Sequence, residues 1–437
     1  IYSISIHNML KKTLQNNLII LIIMIYNLSL AQNYPNFQIL SNNNPYPESI
    51  FLYTMSGENR YMAILDSNLN VVWSVHSNYM GLDFKVNQNQ LTYFHRPERS
   101  WISLNRYMVE LDTFKCEGPY ITDYHDFQIL DNGNYILQAY DSMFVNMSEI
   151  IEQGQAVSLI TGILIIQEFN SEDELLFEWN AWENLNIGDY TNLNLESDNI
   201  EFMHGNSIEI DYDENLLISN RTSNEILKVN RQNGDIMWHM GGPLNQFTFI
   251  NDPMNGFKMQ HDVRRLDNGN ISLFDNGVTH EPPISRAVEY IINENNKTAE
   301  LIWEYTHPDN ILGLAMGSVQ RLTNGNTLIN WGTINDRGAL ITEVNYEKDI
   351  VLEIQYPYTH RNYKVRKSDW EFLINQVEGD ANIDNKIDIF DINYFIDYFY
   401  FSENPILTMY HMFRFDVNKD GYINTDDFDY LIDTTLY

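Results

Sequence analysis

Three histidines stand out because the chain returns to them at a recurring place. His125 lies eight residues before Gly133, and His261 lies eight before Gly269, each opening a segment of the form His-Asp, apolar run, Asn-Gly, apolar run. His204 opens a related segment, "HGNSIEIDYDENLLISNR", whose turn reads as slightly longer and has no glycine. Imidazole titrates near neutrality, so it serves as nucleophile, general base or metal ligand. Three of them converging on one spot would suit acid–base or covalent chemistry.

A second set of residues with ligand chemistry closes the chain. Asp380, Asn382, Asp384, Asp388 and Asp391 fall at positions 1, 3, 5, 9 and 12 of a loop. Asp416, Asn418, Asp420, Asn424 and Asp427 repeat that spacing, with Gly421 at position 6. Calcium takes about six to eight oxygens from one tight loop, and this register offers them. The first loop has Asn385 at position 6, and asparagine enters the left-handed region more easily than most residues. Each loop runs into an amphipathic stretch: Ile389, Ile392, Phe395, Ile396 and Phe399 in one, Phe428, Leu431 and Ile432 in the other. The expectation is two calcium sites. A merely acidic, solvated tail would not place two loops in one register.

The elements that must position the histidines are short strands. "HDFQILDNGNYILQAYD", "HDVRRLDNGNISLFDNG" and "GSVQRLTNGNTLINWG" align without gaps, each as strand, Asn-Gly turn and strand. With the His204 segment as the fourth, a second strand pair follows each, with a tryptophan in the last strand of three of the four: Trp179, Trp238 and Trp303. Two weaker copies lie upstream, from Tyr61 and from Met80 to Cys116, which makes six units of four strands. Repeats of this kind predict an all-β fold, a six-bladed β-propeller over residues 46–366. A β-sandwich is the runner-up, but it leaves the regular return of the hairpin unexplained. In a propeller, equivalent positions ring the central channel, so His125, His204 and His261 are expected at one mouth. A structural histidine should recur more evenly; here the last unit has Gly317 in that place. His76, His95, His239, His307 and His360 fall off this register and read as ordinary polar surface residues.

Bulk properties narrow the partners. With 26 basic against 60 acidic residues, the net charge is −34, which argues against nucleic acid and anionic membranes. Cys116 is the only cysteine, so no intramolecular disulfide forms. Lys11 and Lys12, the apolar run Leu18 to Leu30 and the small-residue exit at Ser29-Leu30-Ala31 predict a signal peptide over residues 1–31, with Met9 as the expected start. That run is shorter than the roughly 20 residues a membrane anchor needs. Secretion, or a cell-surface or periplasmic location, with no membrane span left after signal removal, is the expectation. A junction at 367–379 then leads to a small helical module at 380–437.

The segments "MHGNSIEI", "GDIMWHMGG", "FTFINDPMNGFKMQHDVRRLDNGNISLFDNG" and "SRAVEYIINENNKTAELIWEY" resemble the arylsulfotransferase family, the secreted type that does not use PAPS. The resemblance covers about His125 to Tyr356 and implies a propeller that moves a sulfuryl group from a phenolic sulfate donor to a phenol acceptor through a sulfohistidine. It carries His204 and His261 onto two family active-site histidines and Arg286 onto a family arginine near the site. In well-studied members the nucleophilic histidine lies in the last blades, and the nearest stretch here, "LINWGTINDRG", has none. His261 or His204 is therefore the expected nucleophile, with His125 beside them. The alternative is a non-catalytic, ligand- or polymer-binding propeller. The paired C-terminal loops, with Asp at position 12, resemble a dockerin type I module, which implies a cohesin-like protein partner and an anchoring role.

Overall fold

The computed structural model describes residues 34–77, 80–106, 108–370, 379–380, 386–396, 415–418 and 423–436. Expectations placed on residues 1–31, on most of the 367–379 junction and on Asn382, Asp384, Asn385, Phe399, Asp420 and Gly421 lie outside them. Residues Pro35–Ser74 and Tyr79–Leu373 make up one compact unit, and the C-terminal segment from Ile374 belongs to a second.

Six antiparallel sheets, each built on four strands, form the first unit as a six-bladed propeller. The inner strands, from blade 1 to blade 6, are Arg361–Ser368, Met80–Asn87, Ile121–Ile129, Gly205–Ile210, His261–Arg265 and Ser318–Arg321. The inner strand of blade 1 comes from the far end of the chain: Ile50 pairs with Lys367 and Leu52 with Val365. Gln38–Asn42 in turn adds a fifth, outer strand to blade 6. Both closing strands reach beyond the expected limits of 46 and 366, because a ring of sheets must be sealed by one end or both. Lys367, expected in the junction, is instead buried with its Nζ 2.6 Å from Glu343 Oε2.

The core lies between blades. Trp179 of blade 3 packs with Ile208 and Leu216 of blade 4, and Trp238 of blade 4 packs with Val263 and Ile271 of blade 5. Trp303 of blade 5 packs with Val319 and Ile329 of blade 6. Each fourth strand thus glues its blade to the next, and deleting a side chain of this size from a core costs about 3–5 kcal/mol.

A polar belt repeats the same joint nearer the axis. Asp126 Oδ2 accepts the Ile208 N–H at 3.0 Å, Ser207 Oγ accepts Val263 N–H at 2.9 Å, Asp262 Oδ2 accepts Val319 N–H at 3.0 Å and Ser318 Oγ accepts Val365 N–H at 3.1 Å. All four acceptors sit four residues before the first residue of their hairpin turn: Leu130, Asp211, Leu266 and Leu322. The aspartate after His125 and after His261 is therefore a blade clamp.

The turns correct one expectation. Leu130, Asp211, Leu266 and Leu322 each donate their N–H to the carbonyl four residues on, so the blade 4 turn has the same length as the others. Gly133, Gly269 and Gly325 take φ of 84°, 94° and 89° there, and Glu214 takes 65° in the same place without being glycine. The register position of His125 and His261 is then filled in blade 4 by Asn206, and His204 stands two residues upstream. A bulge between Gly205 and Ser207 accompanies the shift.

The histidines read as surface residues also need correction: His76, His95 and His307 are buried. His95 Nδ1 accepts the Glu98 N–H at 3.2 Å, and His307 Nε2 lies 2.8 Å from Glu353 Oε2.

In the second unit, helices Ile389–Ile396 and Thr425–Leu436 are described. Phe395 meets Phe415 edge-on at 5.0 Å, with Ile392 and Leu431 buried. No helix among the described residues is long and apolar enough to cross a membrane.

Candidate active site

His125 sits within the inner strand of blade 3, His204 immediately precedes that of blade 4, and His261 begins that of blade 5. His125 and His204 meet: their Nε2 atoms are 3.1 Å apart. The Nδ1 atoms point away to carboxylates, His125 to Asp123 Oδ1 at 2.6 Å and His204 to Glu201 Oε1 at 3.0 Å. Burial pushes the Asp123 carboxyl up, but His125 and the Gln138 amide outweigh it and hold it below its usual value. The hydrogen bond from His204 holds Glu201 low as well. An ionised carboxylate only accepts, so both Nδ1 atoms carry hydrogen. The Nε2 contact must then contain a proton, shared by two rings that each keep an Nδ1–H. Burial lowers the affinity of His125 for a second proton.

Secondary structure explains how Glu201 arrives. Strands Tyr135–Val145 and Ser158–Phe169 overshoot their blade, and Asn199–Glu201 pairs in parallel with the overshoot, Thr161 opposite Glu201. Lys364 Nζ and the Tyr363 hydroxyl, both from blade 1, donate to the His125 carbonyl at 2.6 and 3.2 Å. Tyr124 stacks on the His125 ring at 4.2 Å. A cavity of about 470 Å³ opens here, lined by Tyr124, His125, Tyr140, Thr161, Glu201 and His204.

His261 is held differently. Its Nδ1 lies 2.6 Å from Asn276 Oδ1 and 3.2 Å from the Met259 carbonyl. The Asn276 amide nitrogen donates to the carbonyls of Gly313 and Met316, at 2.8 and 3.0 Å, so the oxygen must be the atom facing His261. Nδ1 therefore carries the hydrogen and Nε2 the lone pair, with no hydrogen-bond partner among the described residues. Burial keeps this imidazole well below its ordinary value, and the charges of Arg221, His204 and His125 push the same way. A neutral ring with an unengaged Nε2, within electrostatic reach of the other two histidines, is equipped to attack an electrophile.

Arg286 does not join them. It is fully buried in the third strand of blade 5, and its N–H groups are taken by Asp275 at 2.9 Å, Asp252 at 2.8 and 3.1 Å, Glu304 at 3.0 Å and the Gly256 carbonyl at 2.7 Å. A guanidinium with its whole fork engaged has nothing left for a ligand. Its nearest link to the site is indirect, since Asp275 precedes Asn276 in the chain.

Asp123, Glu201 and Asn276, which fix the histidine tautomers, were not among the residues singled out in the sequence. An acid two or three positions before each of His125 and His204 was the available signal. A larger cavity, about 590 Å³, lies at the hairpin-turn end and is lined by Arg264, Arg265, Arg321 and Arg366. Each of these arginines is paired with a carboxylate and no histidine lines the cavity, so the histidine mouth is the candidate site. Among the described residues no three His, Cys, Asp or Glu side chains converge as a metal centre.

A family model described as arylsulfotransferase (ASST) matches residues 106–357. No curated protein matches the chain. Among solved structures, a protein of unknown function from Bacteroides caccae is 15% identical with a TM-score of 0.45, covering 73% of this chain and 98% of its own. A catalytically inactive virginiamycin B lyase from Staphylococcus aureus, with quinupristin, is 9% identical with a TM-score of 0.39, covering 74% and 89%. A functionally unknown protein from Desulfotomaculum acetoxidans is 8% identical with a TM-score of 0.41, covering 75% and 100%.

Proposed function

The chain belongs to the arylsulfotransferase (ASST) family, and from that premise we propose that it moves a sulfuryl group between phenols, with His261 as the residue that carries it. The observation that supports this reading is the tautomer of His261, which leaves an uncharged Nε2 lone pair unengaged. In the first half-reaction Nε2 attacks the sulfur of an aryl sulfate, the N–S bond forms and the S–O bond to the phenol breaks. The leaving phenolate takes the proton shared by His125 and His204. In the second half-reaction the acceptor phenol returns a proton to that pair, its oxygen attacks sulfur, and the N–S bond breaks. Tyr124 and Tyr140 line the cavity beside His125 and His204, where a phenol ring would sit; His261 is not among the residues lining that cavity. The chemistry needs no PAPS.

The test is trapping. With a chromogenic aryl sulfate and no acceptor, the protein should release one equivalent of phenol and gain one sulfuryl mass on the His261 peptide; added phenol should discharge it. A chain that releases no phenol from a panel of aryl sulfates loses this reading. The second reading, a ligand-binding propeller without turnover, then takes its place. It is favoured by the last-blade stretch from Leu328, where Trp331 is fully buried and no histidine occurs.

For the C-terminal segment the proposal is a calcium module that tethers the propeller, with a cohesin-like protein as partner and export through the amino-terminal signal. Asp380, Asn382, Asp384, Asp388 and Asp391 would hold one ion, and Asp416, Asn418, Asp420, Asn424 and Asp427 the other. The donors are all oxygen, as calcium prefers. The two position-12 aspartates are buried, Asp391 Oδ2 accepting the Asp388 N–H at 2.8 Å and Asp427 Oδ2 the Asn424 N–H at 2.9 Å. A segment this small has little core, so metal binding would supply folding free energy. Chelator should abolish hydrogen-exchange protection in the two helices of the full chain and leave the propeller strands unchanged. Protection that ignores both chelator and added calcium would sink the assignment.

A further inference from the structure

We propose that Arg221, and not Arg286, grips the sulfonate oxygens of the donor; this rests on the transferase reading above. Arg221 follows strand Leu216–Asn220 at the histidine mouth, and its backbone N–H donates to the His204 carbonyl at 2.9 Å. Its side chain crosses toward the loop before blade 6, where Nη2 reaches the Leu314 carbonyl at 3.4 Å. The neighbouring Gly313 carbonyl accepts from Asn276, the residue that holds His261. One end of Arg221 is thus anchored at His204 and the other beside the support of His261, which places the guanidinium between the two histidine arms.

Its bonding separates it from five other arginines of the propeller. Arg264, Arg265, Arg286, Arg321 and Arg366 are each paired with a carboxylate. Arg221 has no ion pair among the described residues; its Nε is buried without a hydrogen-bond partner, and the Leu314 contact is long. Glu201 is the carboxylate whose charge reaches it, and Glu201 is already engaged by His204. A half-buried guanidinium with most of its fork unused, beside a nucleophile that needs an anionic electrophile brought to it, matches the planar oxygens of a sulfate ester. It also offsets the negative charge that spreads over those oxygens as sulfur is transferred.

The experiment separates this assignment from the reading beneath it by measuring binding without turnover. 4-Nitrobenzenesulfonate keeps the anionic head on a carbon–sulfur bond that cannot be transferred, and 4-nitrophenol lacks the sulfonate. Calorimetry on the full chain should show R221Q losing at least about tenfold in affinity for the sulfonate, the scale of a charge-assisted hydrogen bond, with 4-nitrophenol unchanged. R221K, which keeps charge and stem but not the fork, should fall between and serves as the test if R221Q does not fold. Equal sulfonate binding by wild type and both variants overturns the role of Arg221 while leaving sulfohistidine formation standing. Wild type that neither binds the sulfonate nor forms sulfohistidine overturns both.

Discussion

Replacing His261 with alanine should reduce sulfuryl transfer by at least about a hundredfold and abolish the covalent label, because, of His125, His204 and His261, only His261 combines a fixed Nδ1–H with an unengaged Nε2. His204→Ala should also lose about a hundredfold, but with a different signature. The proton for the leaving phenolate disappears while the nucleophile stays, so donors with acidic phenols should suffer least. The pH dependence follows from His261 being held below its ordinary value by burial. An ordinary imidazole is half protonated near pH 6.5 and loses its lone pair below that. Here the neutral form persists as pH falls, so label formation should stay flat through about 6.5 and decline only at lower pH. Acid-limb loss of labelling at or above that value would place the nucleophile elsewhere.

Asp262→Ala should be among the most damaging single changes to the propeller. Its carboxylate is fully buried and joins Arg366, which donates from both Nη atoms, Arg264 at 3.0 Å and the Val319 N–H. Burial alone would push its acidity down, yet Arg366 and Arg264 hold its pKa well below the usual carboxylate range. Removing it takes the carboxylate from Arg366, while Arg264 keeps Asp126 and Glu209, and a broken buried pair costs about 3–5 kcal/mol. Ser207→Ala breaks the equivalent joint, between blades 4 and 5, but leaves no charge behind, and should cost about 1 kcal/mol. Denaturant midpoints of the two variants measure the difference. Similar losses would mean that the channel charges contribute nothing beyond the backbone clamp.

Much of this architecture was legible because period-2 strands and Asn-Gly turns leave local marks. The return of His125, Gly133, His261, Gly269 and Gly325 locates three blades before any coordinate is seen. Glu214 hid the fourth, since a glutamate in the left-handed region gives no composition signal, and with it the two-residue offset of His204. Arg286 shows the opposite failure. Nothing local says whether an arginine faces a channel or is enclosed by Asp252, Asp275 and Glu304, because those partners are set by pairing across blade 5 and its flanking loops. Asn276 is another long-range case: its role follows from which carbonyls, Gly313 and Met316, take its amide protons. The closing strands at Gln38–Asn42 and Arg361–Ser368 lack the Asn-Gly mark, so their membership in the ring was not visible from pattern alone.

That closure sets the order in which the chain can fold. Ser49–Ser56 emerges from synthesis early, but the strand that completes its sheet, Arg361–Ser368, follows only after some three hundred residues. Until then blade 1 presents an unpaired inner edge to whatever strand is nearest, its own neighbours or another chain's. Final ring closure carries the entropy of a very long loop and is expected to be the slow phase of refolding. A circularly permuted chain that begins at Arg361 and joins Ser368 to Ser49 through a short hairpin would make that contact local, and should fold faster with the same six blades.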